Sequence, residues 1–110
     1  MPAFSPGDVV IVPFPFTDRD AVKRRPALVC SSAAFNRQAR HVVLAMITTS
    51  RHSAWPDDVP IQDLDAAGLP AASVVRWKLF TLDASFVLRR AGTLSARNRT
   101  ACRAKQPLSI

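Results

Sequence analysis

Asp8–Phe14 reads Asp-Val-Val-Ile-Val-Pro-Phe, and it narrows the fold more than any other segment. Four consecutive β-branched residues, with Gly7 before them and Pro13 and Pro15 closing them, are too short and proline-bounded for a helix. They predict a buried strand. A charged loop over residues 18–23 leads to a second run, Pro-Ala-Leu-Val-Cys at 26–30, preceded by Arg24 and Arg25. That order places two guanidinium groups at the rim of a small sheet.

The rest of the chain continues in the same manner. Residues 41–47 form a third apolar run, and it and 26–30 read as strands buried on both faces. Between them, residues 32–38 predict a helical turn with Ser32 as N-cap. Residues 48–53 open a polar loop that closes at Trp55-Pro56. Residues 58–61 predict a short strand, placed at an edge because Pro60 cannot donate to a ladder. Residues 63–68 suit one helical turn, with acids at its start and Gly68 at its end. Residues 73–82 form the longest strand candidate, with Val75, Trp77 and Leu79 on one face and Val74, Arg76, Lys78 and Phe80 on the other. Residues 86–90 predict a further strand, and Thr93-Leu94-Ser95 caps a C-terminal helix ending near Lys105, before Pro107. That helix is basic on most sides and short of aliphatic residues. Short strands, tight turns and a final helix predict a mainly β fold, a small curved antiparallel barrel.

A length of 110 residues suits one domain spanning 1–110. Hydrophobic residues make up 48% and charged residues 21%, a globular balance. The formal charge of +7 comes from 15 Lys and Arg, mostly Arg, against 8 Asp and Glu. Arginine's planar fork suits phosphate, so the balance favours nucleic acid over a membrane or an acidic protein as partner. Cys30 and Cys102 lack metal-ligand spacing and read as reduced, buried thiols. His41 and His52 lack the spacing of a helical zinc motif. No basic leader precedes the first apolar run and no run approaches a membrane span, which together predict a cytoplasmic protein.

Several segments in order carry a resemblance: Gly7-Asp8-Val9-Val10, Arg25-Pro26-Ala27-Leu28-Val29 and Ala33-Ala34-Phe35-Asn36-Arg37. It continues through Ile47-Thr48-Thr49-Ser50, Ser73-Val74-Val75-Arg76, Thr81-Leu82-Asp83 and Gly92-Thr93-Leu94-Ser95. The chain resembles the MazF/PemK (Kid) family of type II toxin–antitoxin toxins. The resemblance implies an SH3-like/CcdB-like barrel and a homodimer. It further implies cleavage of single-stranded RNA without metal or other cofactor, and inhibition by a cognate antitoxin.

Metal-free RNA cleavage uses the ribose 2′-hydroxyl as nucleophile, so the protein must align the attack and stabilise a pentavalent phosphorane. Arg25 is the candidate stabiliser and Thr48, where a strand meets the polar loop, the candidate positioning hydroxyl. Arg24, on the opposite side of the strand, together with Thr49, Ser50, His52, Arg76 and Lys78, are candidate RNA-binding residues. Some family members carry an acid where Lys78 stands, and a lysine cannot replace a carboxylate acceptor. Chemistry resting on Arg25 and Thr48, or weak or absent activity, both remain open. Trp77 reads as core. Trp55 offers a base-stacking surface or ordinary loop packing. Phe14 and Phe16 flank the first loop and seat it against the barrel. Two other functions remain: a non-catalytic toxin of the same fold that blocks a protein such as DNA gyrase, and an inactive RNA-binding barrel.

Overall fold

A computed structural model describes residues 4–14, 23–50 and 54–107. Six strands form one antiparallel sheet: β1 (Asp8–Phe14), β2 (Lys23–Val29), β3 (His41–Thr49), β4 (Val59–Pro60), β5 (Ser73–Asp83) and β6 (Arg89–Thr93). Their spatial order is β4-β5-β3-β2-β1-β6, which leaves β4, with its proline, at one edge as the sequence predicts. Register shifts between Val9 and Val10 against β6, and between Ala45 and Met46 against β5, curl the sheet into a half-barrel.

Strict alternation along β1, β2 and β3 divides the apolar side chains between two cores. Val9, Leu28, Cys30, Ala45, Ile47 and Val75 lie on one side, with Ile61, Ala67, Leu69, Leu94 and Cys102 closing over them. Val10, Val12, Ala27, Val29, Val42, Leu44 and Leu82 lie on the other, capped by Phe4 and flanked by Phe80, Phe86 and Val87. The continuous apolar runs of β1–β3 exist because both faces of the sheet are covered.

Three helices cover the sheet: α1 (Ala33–Ala39), α2 (Leu64–Ala67) and α3 (Ala96–Lys105). The Ser32 hydroxyl caps α1 by accepting from the Phe35 N–H, and Ser95 caps α3 by accepting from the Asn98 N–H. Asn36 anchors α1 by donating to the Phe4 carbonyl at 2.8 Å and accepting from the Ser31 hydroxyl. α3 is short of aliphatic residues, and a buried amide seats it. Asn98 Oδ1 accepts from the Gln62 and Asp63 N–H groups, both at 3.1 Å, and its Nδ2 donates to the Pro60 carbonyl.

One expectation fails. Residues 86–90 are not a strand throughout: Ala84–Phe86 is a 3₁₀ turn, and β6 begins only at Arg89. The Asp83 side chain accepts from the Ser85 N–H and stops β5, a local bond that the apolar pattern does not reveal.

Cys30 and Cys102 are free, buried thiols in the same core. Burial pushes Cys30 up to about 12, with Cys102 nearby adding to the rise, and pushes Cys102 up to about 11. Unfolded thiols ionise near their ordinary value of 9.0. Between that value and the folded ones, the native state therefore binds more protons than the unfolded chain. Their contribution to stability is complete below pH 9 and is lost as pH rises toward 12. The urea midpoint is expected to stay level up to about pH 9 and to fall above it. The Cys30→Ala/Cys102→Ala double variant should fall less steeply, and equal slopes for the two proteins would contradict the assignment.

Candidate active site at the end of the sheet

β2 and β3 pair Ala27 with Met46, and β3 and β5 pair Met46 with Arg76 and Thr48 with Val74. Carried two residues on, the β2–β3 register sets Arg25 beside Thr48. Side chains opposite one another share a face. Arg25, Thr48, Met46 and Arg76 therefore all stand on the Val10–Val12 side of the sheet, beyond the end that Phe4 and Phe86 cover. Here the sheet is open. Phe14, Arg25, Met46, Thr48 and Arg76 are only half-buried, although residues nearer the centre of the same strands are fully buried.

Arg25 and Thr48 also line, at the end of their strands, a cavity of about 170 Å³ with Pro26, Ile47, Thr49, Ser73 and the Leu69-Pro70-Ala71 segment. Ile47 and Leu69 belong to the Val9 core, so this cavity opens on the other face of the sheet. Val12 pairs with Arg25, and the guanidinium carbon of Arg25 lies 5.0 Å from the centroid of the Phe14 ring. The aromatic face positions the charge without neutralising it. Pro26 fixes the backbone that follows. Thr49 contributes a hydroxyl oxygen that is buried and has no hydrogen-bond partner among the described residues. A buried hydroxyl in that state costs about 1–3 kcal/mol, and a ligand in the cavity would relieve the cost.

The other candidates separate by environment. Arg24 is exposed, pairs with Pro13 and does not line this cavity. Ser50 closes the end of the sheet, its N–H donating to the Ala72 carbonyl at 3.1 Å and its hydroxyl to the same oxygen at 3.4 Å. His52 and Phe16 fall outside the described residues. Lys78 is exposed, at the register shift in β5.

Arg76 has an acidic partner that the sequence reading did not find. Its Nη2 reaches Asp58 Oδ2 at 2.9 Å and its Nε reaches Oδ1 at 3.3 Å, a bidentate pair with both side chains largely buried. The hydrogen bonds from Arg76 hold the Asp58 carboxyl below the usual range, and the Trp55 N–H contributes further. Asp58 therefore does not restore the acid replaced by Lys78: it stays ionised and saturated with donors, a poor proton acceptor. The available signal was the pair Asp57-Asp58 after Trp55-Pro56, which no spacing rule links to a strand 18 residues on.

Trp77 behaves as core, packing on the Val9 side and donating its indole N–H to the Asp57 carbonyl at 2.8 Å. Among the described residues, no three His, Cys, Asp or Glu side chains are grouped to hold a metal ion, and no helix is long and apolar enough to cross a membrane.

Fold and site together define a small antiparallel half-barrel with an open, arginine- and hydroxyl-lined end. The chain belongs to the PemK-like, MazF-like toxins of type II toxin–antitoxin systems, whose family profile matches residues 5–106. Comparison with curated protein sequences gave no match. Among solved structures it is similar to MazF from Deinococcus radiodurans, at 26% identity and TM-score 0.71 over 96% of this chain and 94% of that one. The MazE–MazF complex of the same organism superposes with TM-score 0.72 at 24% identity, over 96% and 92%. A mycobacterial endoribonuclease bound to its cognate antitoxin superposes with TM-score 0.73 at 20% identity, over 96% and 90%. The last two bear on the fold alone.

Proposed function

We propose that this toxin is a metal-independent endoribonuclease that cuts single-stranded RNA by transphosphorylation, acting as a homodimer and restrained by a cognate antitoxin. The observation that carries the reading is the register that sets Arg25 beside Thr48 on one face of the sheet's open end. In the reaction the 2′-oxygen attacks the adjacent phosphorus and the bond to the 5′-oxygen breaks. The products are a 2′,3′-cyclic phosphate and a 5′-hydroxyl. Negative charge grows on the non-bridging oxygens of the phosphorane, where the Arg25 fork donates and never loses its charge. Thr48 donates to a phosphate oxygen or orients the attacking hydroxyl. Among the described residues, position 78 is Lys and Asp58 is bound to Arg76, so neither takes the 2′-proton. Arg25 and Thr48 contribute through alignment and charge stabilisation.

The net charge of +7 draws RNA to this end through its phosphates. A disordered, acidic antitoxin segment would fold onto the same surface. Membership of a toxin–antitoxin family supports such a partner.

The test is incubation of the purified protein with single-stranded RNA in excess chelator, with the ends of the products analysed. Cyclic or 3′-phosphate ends with 5′-hydroxyls are expected. Retention of RNA without cutting would mean an inactive binding barrel, the alternative that Lys78 leaves in play. Gyrase inhibition without either would replace the reading altogether.

A further inference from the structure

Trp55 is 44% exposed, one of two large apolar side chains among the described residues that remain open to solvent. Sequence reading allowed it ordinary loop packing, and the structure does not place it so. Its exposure does not come from a loose turn. The Trp55 N–H donates to Asp58 Oδ2 at 3.0 Å, and the Asp58 N–H donates back to the Trp55 carbonyl at 3.3 Å. Asp57 adopts a left-handed backbone, with φ 62, and its carbonyl accepts from Trp77. The turn is thus tied to β5 through Arg76 and Trp77. Arg76 and Lys78, both from β5, lie 5.6 and 5.9 Å from the indole centroid.

We propose that Trp55 is a stacking platform for one unpaired base of the RNA, which Asp58 holds in place beside Arg76 and Lys78. This inference rests on the proposed ribonuclease reading and adds a subsite to it. A nucleotide presents a flat apolar base and, close by, an anionic phosphate. The platform offers a solvent-exposed indole with a cation over its ring that no acid neutralises, since Asp58 takes Arg76 and Lys78 forms no ion pair among the described residues. Arg76 lies two residues along β5 from Val74, the partner of Thr48, or about 7 Å. A single strand crossing the Arg25–Thr48 pair therefore passes the platform within a nucleotide or two. The uncompensated Lys78 charge favours RNA over an apolar protein segment as occupant. Stacking is indifferent to base identity, so the platform sets affinity and direction, and sequence preference is set elsewhere.

The experiment compares wild type, Trp55→Ala and Trp55→Phe in binding short random-sequence 2′-O-methyl RNA, which lacks the nucleophile, and an abasic strand of equal length. Trp55→Ala should bind the base-bearing strand about 5- to 150-fold more weakly, the scale of one lost base–aromatic stack. Trp55→Phe should recover most of that affinity, and the abasic strand should bind wild type and Trp55→Ala alike. Indole fluorescence should be quenched by the base-bearing strand in wild type and not in Trp55→Ala, where Trp77 is the remaining tryptophan. Equal affinity of wild type and Trp55→Ala for the base-bearing strand would overturn the platform and leave the ribonuclease reading intact. So would an equal loss on the abasic strand, or a loss confined to antitoxin binding. Failure of wild type to hold either strand would overturn both.

Discussion

Arg25→Ala is expected to lower the rate of RNA cutting by about 10²–10³, the 3–4 kcal/mol associated with one charge-stabilising donor, while the protein melts almost as wild type does. The two readouts separate because the side chain is half-buried at the open end. Among the described residues its partner is the Phe14 ring at 5.0 Å, a contact worth about 0.5–1 kcal/mol at such a site. Among the described residues, removing it opens no cavity in either core and leaves no buried acid without a partner. Arg25→Lys should fall between the two, since it keeps the charge and loses the fork that spans two phosphate oxygens. Initial rates in chelator, followed beside thermal melts, check the expectation. Wild-type rates in the alanine variant would remove Arg25 from the chemistry, and a collapsed melt would make it a structural residue.

That pairing of Arg25 with Thr48 shows what the sequence could and could not convey. The strands themselves were legible, because the β-branched runs at β1, β2 and β3 admit little else. Ser32 and Ser95 marked two helix starts by the chemistry of N-capping, and Pro60 marked the edge. The register that brings Arg25 beside Thr48 was not legible from pattern, since alternation fixes faces and not partners. There the family resemblance supplied the two residues. What stayed hidden depends on contacts distant in the chain or on one local bond. Asp58 meets Arg76 across 18 residues, Asn98 meets the turn at Gln62 across 36, and the Asp83–Ser85 bond moves the start of β6. Polar partners of this kind leave no periodic trace, and they seat the Trp55 turn and α3.

Gly92→Ala is expected to cost about 2–3 kcal/mol, as overpacking of a close backbone contact does, a large loss for one methyl group. α2 ends against β6 with the two main chains in direct contact. A Cβ at Gly92 would stand 2.6 Å from the carbonyl carbon of Ala67, with the Ala66 oxygen nearer still. Across the same contact, a Cβ at Gly68 would stand 2.7 Å from the carbonyl carbon of Ala91. Backbone lies on both sides, so no side chain can swing aside to make room. Gly92 pairs with Val9 in the sheet, which keeps β6 from retreating. Relief must come from α2 lifting away, and α2 leads directly into Leu69-Pro70-Ala71, the wall of the Arg25–Thr48 cavity. The denaturant midpoint should therefore fall with its slope unchanged. Cutting, measured where the variant is still folded, should weaken through KM more than through kcat, because the displaced wall touches bound RNA and not the phosphorane. Gly68→Ala should be worse, since its φ of +70 adds a left-handed penalty of about 1–2 kcal/mol to the same collision. A Gly92→Ala protein as stable as wild type would show that α2 does not rest on β6, and the cavity wall would then need another support.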